Sequence, residues 1–249
     1  MSPQPAAPPV VVPSAVVGRA TQIFREHAAV LFPVALIFAL IQAMVTYALA
    51  DTNAAAIAAG VSVVTSVFFQ GMVVTFVRDV EAGLPPGAEP SAGALFRSVS
   101  PVAGPLLVVS ILAGLGIGLG FVLLIVPGLI LLTIWAVVAP VVVLERTGVL
   151  ASFGRSRELV RGSGWPVFTT LLLMVLLVLA TALVGGLAIA AVGEAAGRFV
   201  QVVVSAVTST IYVLTTATLY FRLRDAHDAG PVEPVATVPD DDPRWTQQD

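Results

Sequence analysis

From Ser98 to Leu144 the chain runs 47 residues without a charged side chain. As one helix rising about 1.5 Å per residue it would reach about 70 Å, more than twice the roughly 30 Å of a bilayer's hydrocarbon. The run must therefore fold back on itself in an apolar medium. Pro127-Gly128 is the predicted break, because proline ends one helix and suits the first turn of the next. Two spans follow, at 102–125 and 128–144. Four more uncharged runs have spanning length: Ala28 to Ala50, Thr52 to Val77, Gly162 to Gly193 and Phe199 to Phe221. The first two are separated by Asp51-Thr52-Asn53, residues that cap helices and bend chains. These runs predict further spans at 28–50, 54–77, 166–192 and 199–221.

Composition agrees with that reading. Only 11% of the 249 residues are charged and 57% are hydrophobic, where a soluble domain carries roughly 25% charged side chains. With a mean hydropathy of +0.98, a water-facing surface cannot be covered, and the cytosolic enzyme, disordered regulator and nucleic-acid binder are poor readings. The expected fold is all-α: a polytopic membrane helical bundle of about six transmembrane helices, with short interfacial helices beside them. Both ends read as accessory. Residues 1–13 are proline-rich and 225–249 acidic and proline-rich, which predicts disorder on either side of a membrane domain at 14–224. Between the first of these and span one, Ser14 to His27 predicts a short surface helix, with Val16, Val17, Ala20, Ile23 and Phe24 on one face. The first 27 residues lack a secretory cleavage pattern, so the first run is expected to stay as a span. No direct repeat is evident; an inverted three-plus-three repeat stays open.

All twelve basic residues are arginine, and they are unevenly placed. On the predicted topology eleven fall on one side, and only Arg198, between spans five and six, falls on the other. The positive-inside rule then puts both termini in the cytoplasm of a multi-pass inner-membrane protein.

Site chemistry is narrowed mainly by missing residues. There is no cysteine, no lysine, and only His27 and His227, both outside the spans. Thiol chemistry, a Schiff-base lysine and a histidine metal centre have no candidates, so no metal, cofactor or catalytic residue is expected. Proton relays usually place an acid, base or histidine within the spans, and none is there. Two polar stripes remain. Span six carries Gln201, Ser205, Thr208, Tyr212 and Thr215 at helical spacing, and span two carries Ser62, Ser66 and Gln70. Such stripes serve either as hydrogen-bonding contacts between helices or as a solute path. Gly114, Gly116, Gly118 and Gly120 form two interleaved GxxxG pairs, chiefly a close-packing signal.

The segment from Leu144 to Gly162 concentrates charge. A helix capped by Thr147 is predicted to turn Val149, Leu150, Phe153 and Val160 toward the bilayer, with Arg155, Glu158 and Arg161 turned away and Arg157 at the apolar edge. Arg157 at that edge needs a partner, and Glu145, closing span four, is the expected one. Glu145, Arg155, Arg157 and Arg161 are thus the candidates for ion pairing or for anionic lipid headgroups.

Taken together, Arg78-Asp79-Val80-Glu81-Ala82-Gly83, a helix start at Ser91 to Arg97, Ile125-Val126-Pro127-Gly128-Leu129, Trp135, Pro140, Val143-Leu144-Glu145 and Arg155-Ser156-Arg157-Glu158-Leu159-Val160 resemble the membrane domain of some bacterial glycerophosphoryl diester phosphodiesterases and related stand-alone six-helix membrane proteins. The resemblance covers roughly residues 15 to 224. In those enzymes the chemistry belongs to a separate soluble barrel, which nothing here matches, so the resemblance implies a membrane module without that activity. The resulting expectation is a non-catalytic anchor, scaffold or lipid-interacting module whose partners are membrane lipids and a membrane or envelope protein, with no nucleic acid. A small-solute facilitator or transporter subunit is the alternative.

Overall fold

The computed structural model describes residues 11–49, 54–84 and 90–229. The turn expected at Asp51-Thr52-Asn53 lies outside them, as do residues 1–10 and 230–249. Every regular element among the described residues is helical: α1 Pro13–Glu26, α2 Ala28–Ala48, α3 Ala55–Glu81, α4 Ala92–Val99, α5 Ala103–Leu123, α6 Ile125–Ile134, α7 Val138–Glu145, α8 Val149–Val160, α9 Gly164–Val192 and α10 Glu194–Asp228. A 3-10 turn, Ser100–Val102, joins α4 to α5. Six stretches are long and apolar enough to cross a membrane: α2, α3, α4 with α5, α6 with α7, α9 and α10. The protein is an all-α, multi-pass transmembrane bundle.

The long uncharged run breaks at Leu124, three residues before the predicted point, where the backbone is extended at φ −163° and ψ 148°. Pro127 is the third residue of α6, in the first turn, where its missing N–H removes no intrahelical bond. The α5–α6 corner closes tightly: a Cβ on Gly120 would lie 2.9 Å from the Gly128 Cα, and one on Gly116 would meet the Trp135 ring. Gly114 and Gly118 have open space at the same position. Only one of the two interleaved glycine pairs is used in packing.

Span four is itself interrupted between Ile134 and Val138, and Pro140 explains where. It cannot donate to the carbonyl of residue 136 and its ring would clash there, so the helix restarts with proline in its first turn. Around the break the Val138 N–H bonds to Trp135 O, which leaves the Ile134 carbonyl without its usual helical donor. The Ser156 hydroxyl of α8 donates to that carbonyl at 2.9 Å.

Helix α1 is not a free surface helix. Its predicted apolar face is real, but Val16, Ala20 and Ile23 are buried against the bundle, chiefly on α10 and α9. Arg19 Nε lies 3.2 Å from Glu81 Oε1, tying α1 to the end of α3. The expected boundaries shift accordingly: Val11 is buried, Pro13 opens α1, and α10 runs on to Asp228.

Burial is uneven along the bundle. On α10 every residue from Val213 to Phe221 is buried, packed with Phe76, Val77, Leu106 and the start of α2. Toward the Arg198 end, α2 beyond Ala39 and α3 before Val67 are exposed or half-buried. The helices close around a core at one end and diverge at the other.

Candidate functional site

At the closed end an acid is held in common by three helices. Glu145, the last residue of α7, accepts from Arg155 Nε of α8 at 3.1 Å and from the Tyr220 hydroxyl of α10 at 2.9 Å. Arg155 also approaches Glu158, at 3.7 Å. The Arg224 guanidinium sits over the Tyr220 and Phe221 rings. The expected partner of Glu145 was Arg157; it is Arg155. The reason lies in which face of α8 turns inward. Ser152, Ser156 and Leu159 are buried, as is Val160, which was expected on the bilayer side, while Leu150 of that same predicted face is 80% exposed. The serines are small enough to bring α8 against the interrupted span, where the Ser156 hydroxyl finds its acceptor. Ser152 bonds to Gly148 O and to the Thr147 hydroxyl, so Thr147 does not cap α8, whose cap position is Gly148. That rotation puts Arg155 on the flank facing α7 and α10. Arg157, about 140° from Ser152 at about 100° per residue, is exposed, as is Arg161 after the helix end.

At the open end lies a cavity of about 1150 Å³ between α2, α3, α5, α10 and the interrupted span. It exceeds the roughly 300–1,000 Å³ of ordinary ligand pockets. Its walls are mainly apolar, with Phe38, Phe69, Leu132 and Val213 among them, and it brings together the two polar stripes. Ser62, Ser66 and Gln70 face it from α3; Gln201, Ser205 and Tyr212 face it from α10. The other two stripe residues turn elsewhere. Thr208 meets Thr181 of α9 at 2.6 Å, and Thr215 is buried, bonding back to Ile211 O. The stripe is therefore divided: Gln201, Ser205 and Tyr212 line a space, and Thr208 joins two helices.

Polar residues outside the two stripes also line the cavity. Gln42 of α2 donates to Ser66 Oγ at 2.9 Å and to Ser62 O at 3.1 Å, linking α2 to α3 along one wall. As a single glutamine in an apolar run it had no stripe to mark it. Ser110 of α5 was likewise isolated. Arg198 stands at the mouth beside Tyr47, its guanidinium 5.7 Å from the ring centroid, and pairs with Glu194 one turn back. Gln201 lies against Gly185 of α9, where any Cβ would collide with its amide oxygen. It also donates to Ser205 at 3.0 Å, so its position is fixed by a glycine behind and a serine beside.

What this arrangement can do is bind. Within the cavity, among the described residues, there is no carboxylate, imidazole or thiol, and the only formal charge is Arg198 at the mouth. Its other polar groups are neutral hydroxyls and amides, which can orient a ligand by hydrogen bonding. Searches against protein-family models, curated proteins and solved structures found no match to the chain.

Proposed function

We propose that this protein is a non-catalytic, lipid-interacting module of the bacterial inner membrane, with both termini cytoplasmic, that holds an amphiphile in the cavity at the Arg198 end. The cavity is the observation that carries the reading. A space of about 1150 Å³ with apolar walls, a row of neutral polar groups and a single cation at its mouth has the layout of a lipid rather than of a hydrated ion. An anchoring or scaffolding role for a partner protein, and kinship with the phosphodiesterase membrane domains, are compatible with it. Eleven arginines against one support the orientation, which opens the cavity toward the outer leaflet.

The facilitator reading draws on the same polar row, but the closed end is filled by Phe76, Leu214, Leu219 and Tyr220, and a path across the membrane would have to pass through them. Native mass spectrometry of the protein released from nanodiscs tests the lipid reading: a retained lipid is expected, lost when Ser66→Trp fills the cavity. Retention unchanged by that substitution would sink it. Small-solute flux into proteoliposomes, abolished by the same substitution, would establish the facilitator instead. Orientation is read separately by an impermeant thiol reagent applied from outside, since the chain has no native cysteine. Ala196→Cys should label and Gly154→Cys should not; the reverse pattern would invert the topology.

A further inference from the structure

Resting on the lipid reading above, the inference concerns what kind of polar group the cavity recognises. Gln70 of α3, Ser110 of α5 and Tyr212 of α10 are among the residues lining the cavity, and we term them its floor. Gln70 is eight residues from Arg78, about 12 Å along the helix, and Tyr212 is ten residues from Arg222, about 15 Å, so both lie near mid-membrane. Among the described residues none of these three side chains has a hydrogen-bond partner, whereas Gln42, Gln201 and Ser205 higher in the cavity are bonded to protein groups. In hydrocarbon an unpaired hydroxyl or amide costs free energy comparable to a lost hydrogen bond. Three such groups lining one space from three helices call for a polar partner supplied from outside the chain.

The partner's charge follows from what surrounds the floor. A carboxylate or phosphate there would meet no cation, since Arg198 is fourteen residues from Tyr212 on the same helix, about 21 Å away. Desolvating an ion against neutral dipoles alone is heavily unfavourable. A hydroxyl or ester, by contrast, can accept from Tyr212 and Gln70 and donate to Gln70 or Ser110. A water bridging Gln70, Ser110 and Tyr212 would have polar partners, but the rest of a space of this size, walled by Phe38, Phe69, Leu132 and Val213, offers water none and suits hydrocarbon joined to the polar group. We infer that the cavity binds an uncharged, hydroxyl-bearing amphiphile, its neutral polar group held by Gln70, Ser110 and Tyr212 at mid-membrane and its hydrocarbon along the apolar walls.

The test uses the full chain in phosphatidylcholine nanodiscs with two photoreactive probes, a diacylglycerol carrying a diazirine on one acyl chain and the phosphatidate with the same chains. Diacylglycerol is expected to crosslink to cavity residues, to be displaced by unlabelled diacylglycerol, and to label about tenfold less in Tyr212→Phe and in Gln70→Leu, each of which removes hydrogen bonding at near-constant shape. Thermal unfolding of both variants establishes that they are folded, and Ser110→Ala stands in for either that is not. Labelling of the cavity that ignores the floor substitutions overturns this inference and leaves the lipid reading standing. Stronger labelling by phosphatidate that disappears in Arg198→Gln overturns it in favour of an anionic ligand at the mouth. If neither probe reaches the cavity, both the inference and the lipid reading of the cavity fall.

Discussion

The two halves of α10 are built from the same kinds of residue and end in opposite situations. From Val213 to Phe221 every side chain is buried, and two of its three threonines turn back on their own helix, Thr215 donating to Ile211 O and Thr216 to Val213 O, while the buried Thr218 hydroxyl has no partner among the described residues. From Glu194 to Tyr212 the helix is mostly exposed or half-buried, and its Gln201, Ser205 and Tyr212 face a cavity. A polar residue on a transmembrane helix therefore has no fixed meaning. Where neighbours close in, most such groups are taken up by the protein itself, by a backbone carbonyl or, for Tyr220, by the Glu145 carboxylate; where they diverge, they can face a cavity. On the proposed lipid reading the closed half carries stability and the open half recognition, and a substitution should register on one account and not the other.

The largest stability effect is expected at Glu145, which Arg155 and Tyr220 share. Glu145→Ala strands both partners at a site only 22–26% exposed, so a loss of about 2–3 kcal/mol is expected, somewhat below the roughly 3–5 of a fully buried pair. Thermal unfolding in detergent measures it. A double-mutant cycle sharpens the comparison: Glu145→Gln with Arg155→Gln should be non-additive, and Glu145→Gln with Arg157→Gln additive. Coupling to Arg157 instead would mean that α8 presents its other face.

Next comes the α5–α6 corner. Gly120→Ala drives a methyl into the Gly128 backbone and should cost about 1–3 kcal/mol, whereas Gly118→Ala enters open space and should be neutral or slightly stabilising through better helix propensity. Equal melting temperatures for the two would show that the corner is looser than described. Ser156→Ala removes the donor to the Ile134 carbonyl and should cost about 1–2 kcal/mol, while Ser156→Thr, keeping the hydroxyl, should lose less unless its methyl is excluded. The smallest expected effects are in the open half. Tyr212→Phe and Gln70→Leu remove no protein hydrogen bond and should change stability by less than about 0.5 kcal/mol, while altering which lipid is retained. A large destabilisation there would mean that the cavity floor is structural.

Much of the architecture was legible because charge is forbidden in hydrocarbon. Five uncharged runs, one of them twice too long, marked six spans, and Pro127 located the fold-back to within three residues. Proline and glycine report backbone limits that hold in any surroundings. The partner of Glu145 was not legible, since α8 was read by hydrophobicity, which set Arg157 at the apolar edge and gave Ser152 and Ser156 no part. In a bilayer that criterion fails, because lipid and core are both apolar and a leucine is equally at home facing either. The inward face of such a helix is marked by small residues that permit close approach and by hydroxyls with a carbonyl to bond. The carbonyl in question, on Ile134, becomes available only through the interruption that Pro140 imposes 16 residues before Ser156.

By itself, then, the sequence determined the number of crossings, the segregation of eleven arginines from one, and the absence of thiol or lysine chemistry anywhere in the chain. Those follow from the cost of placing a charge in hydrocarbon and from which side chains exist at all. Tertiary structure decided which arginine neutralises Glu145, which of two glycine pairs is a contact, and which stripe residues face a cavity rather than a neighbouring helix. Each of these depends on the rotation and separation of helices far apart in the chain, and in an apolar solvent no single-helix pattern encodes that rotation.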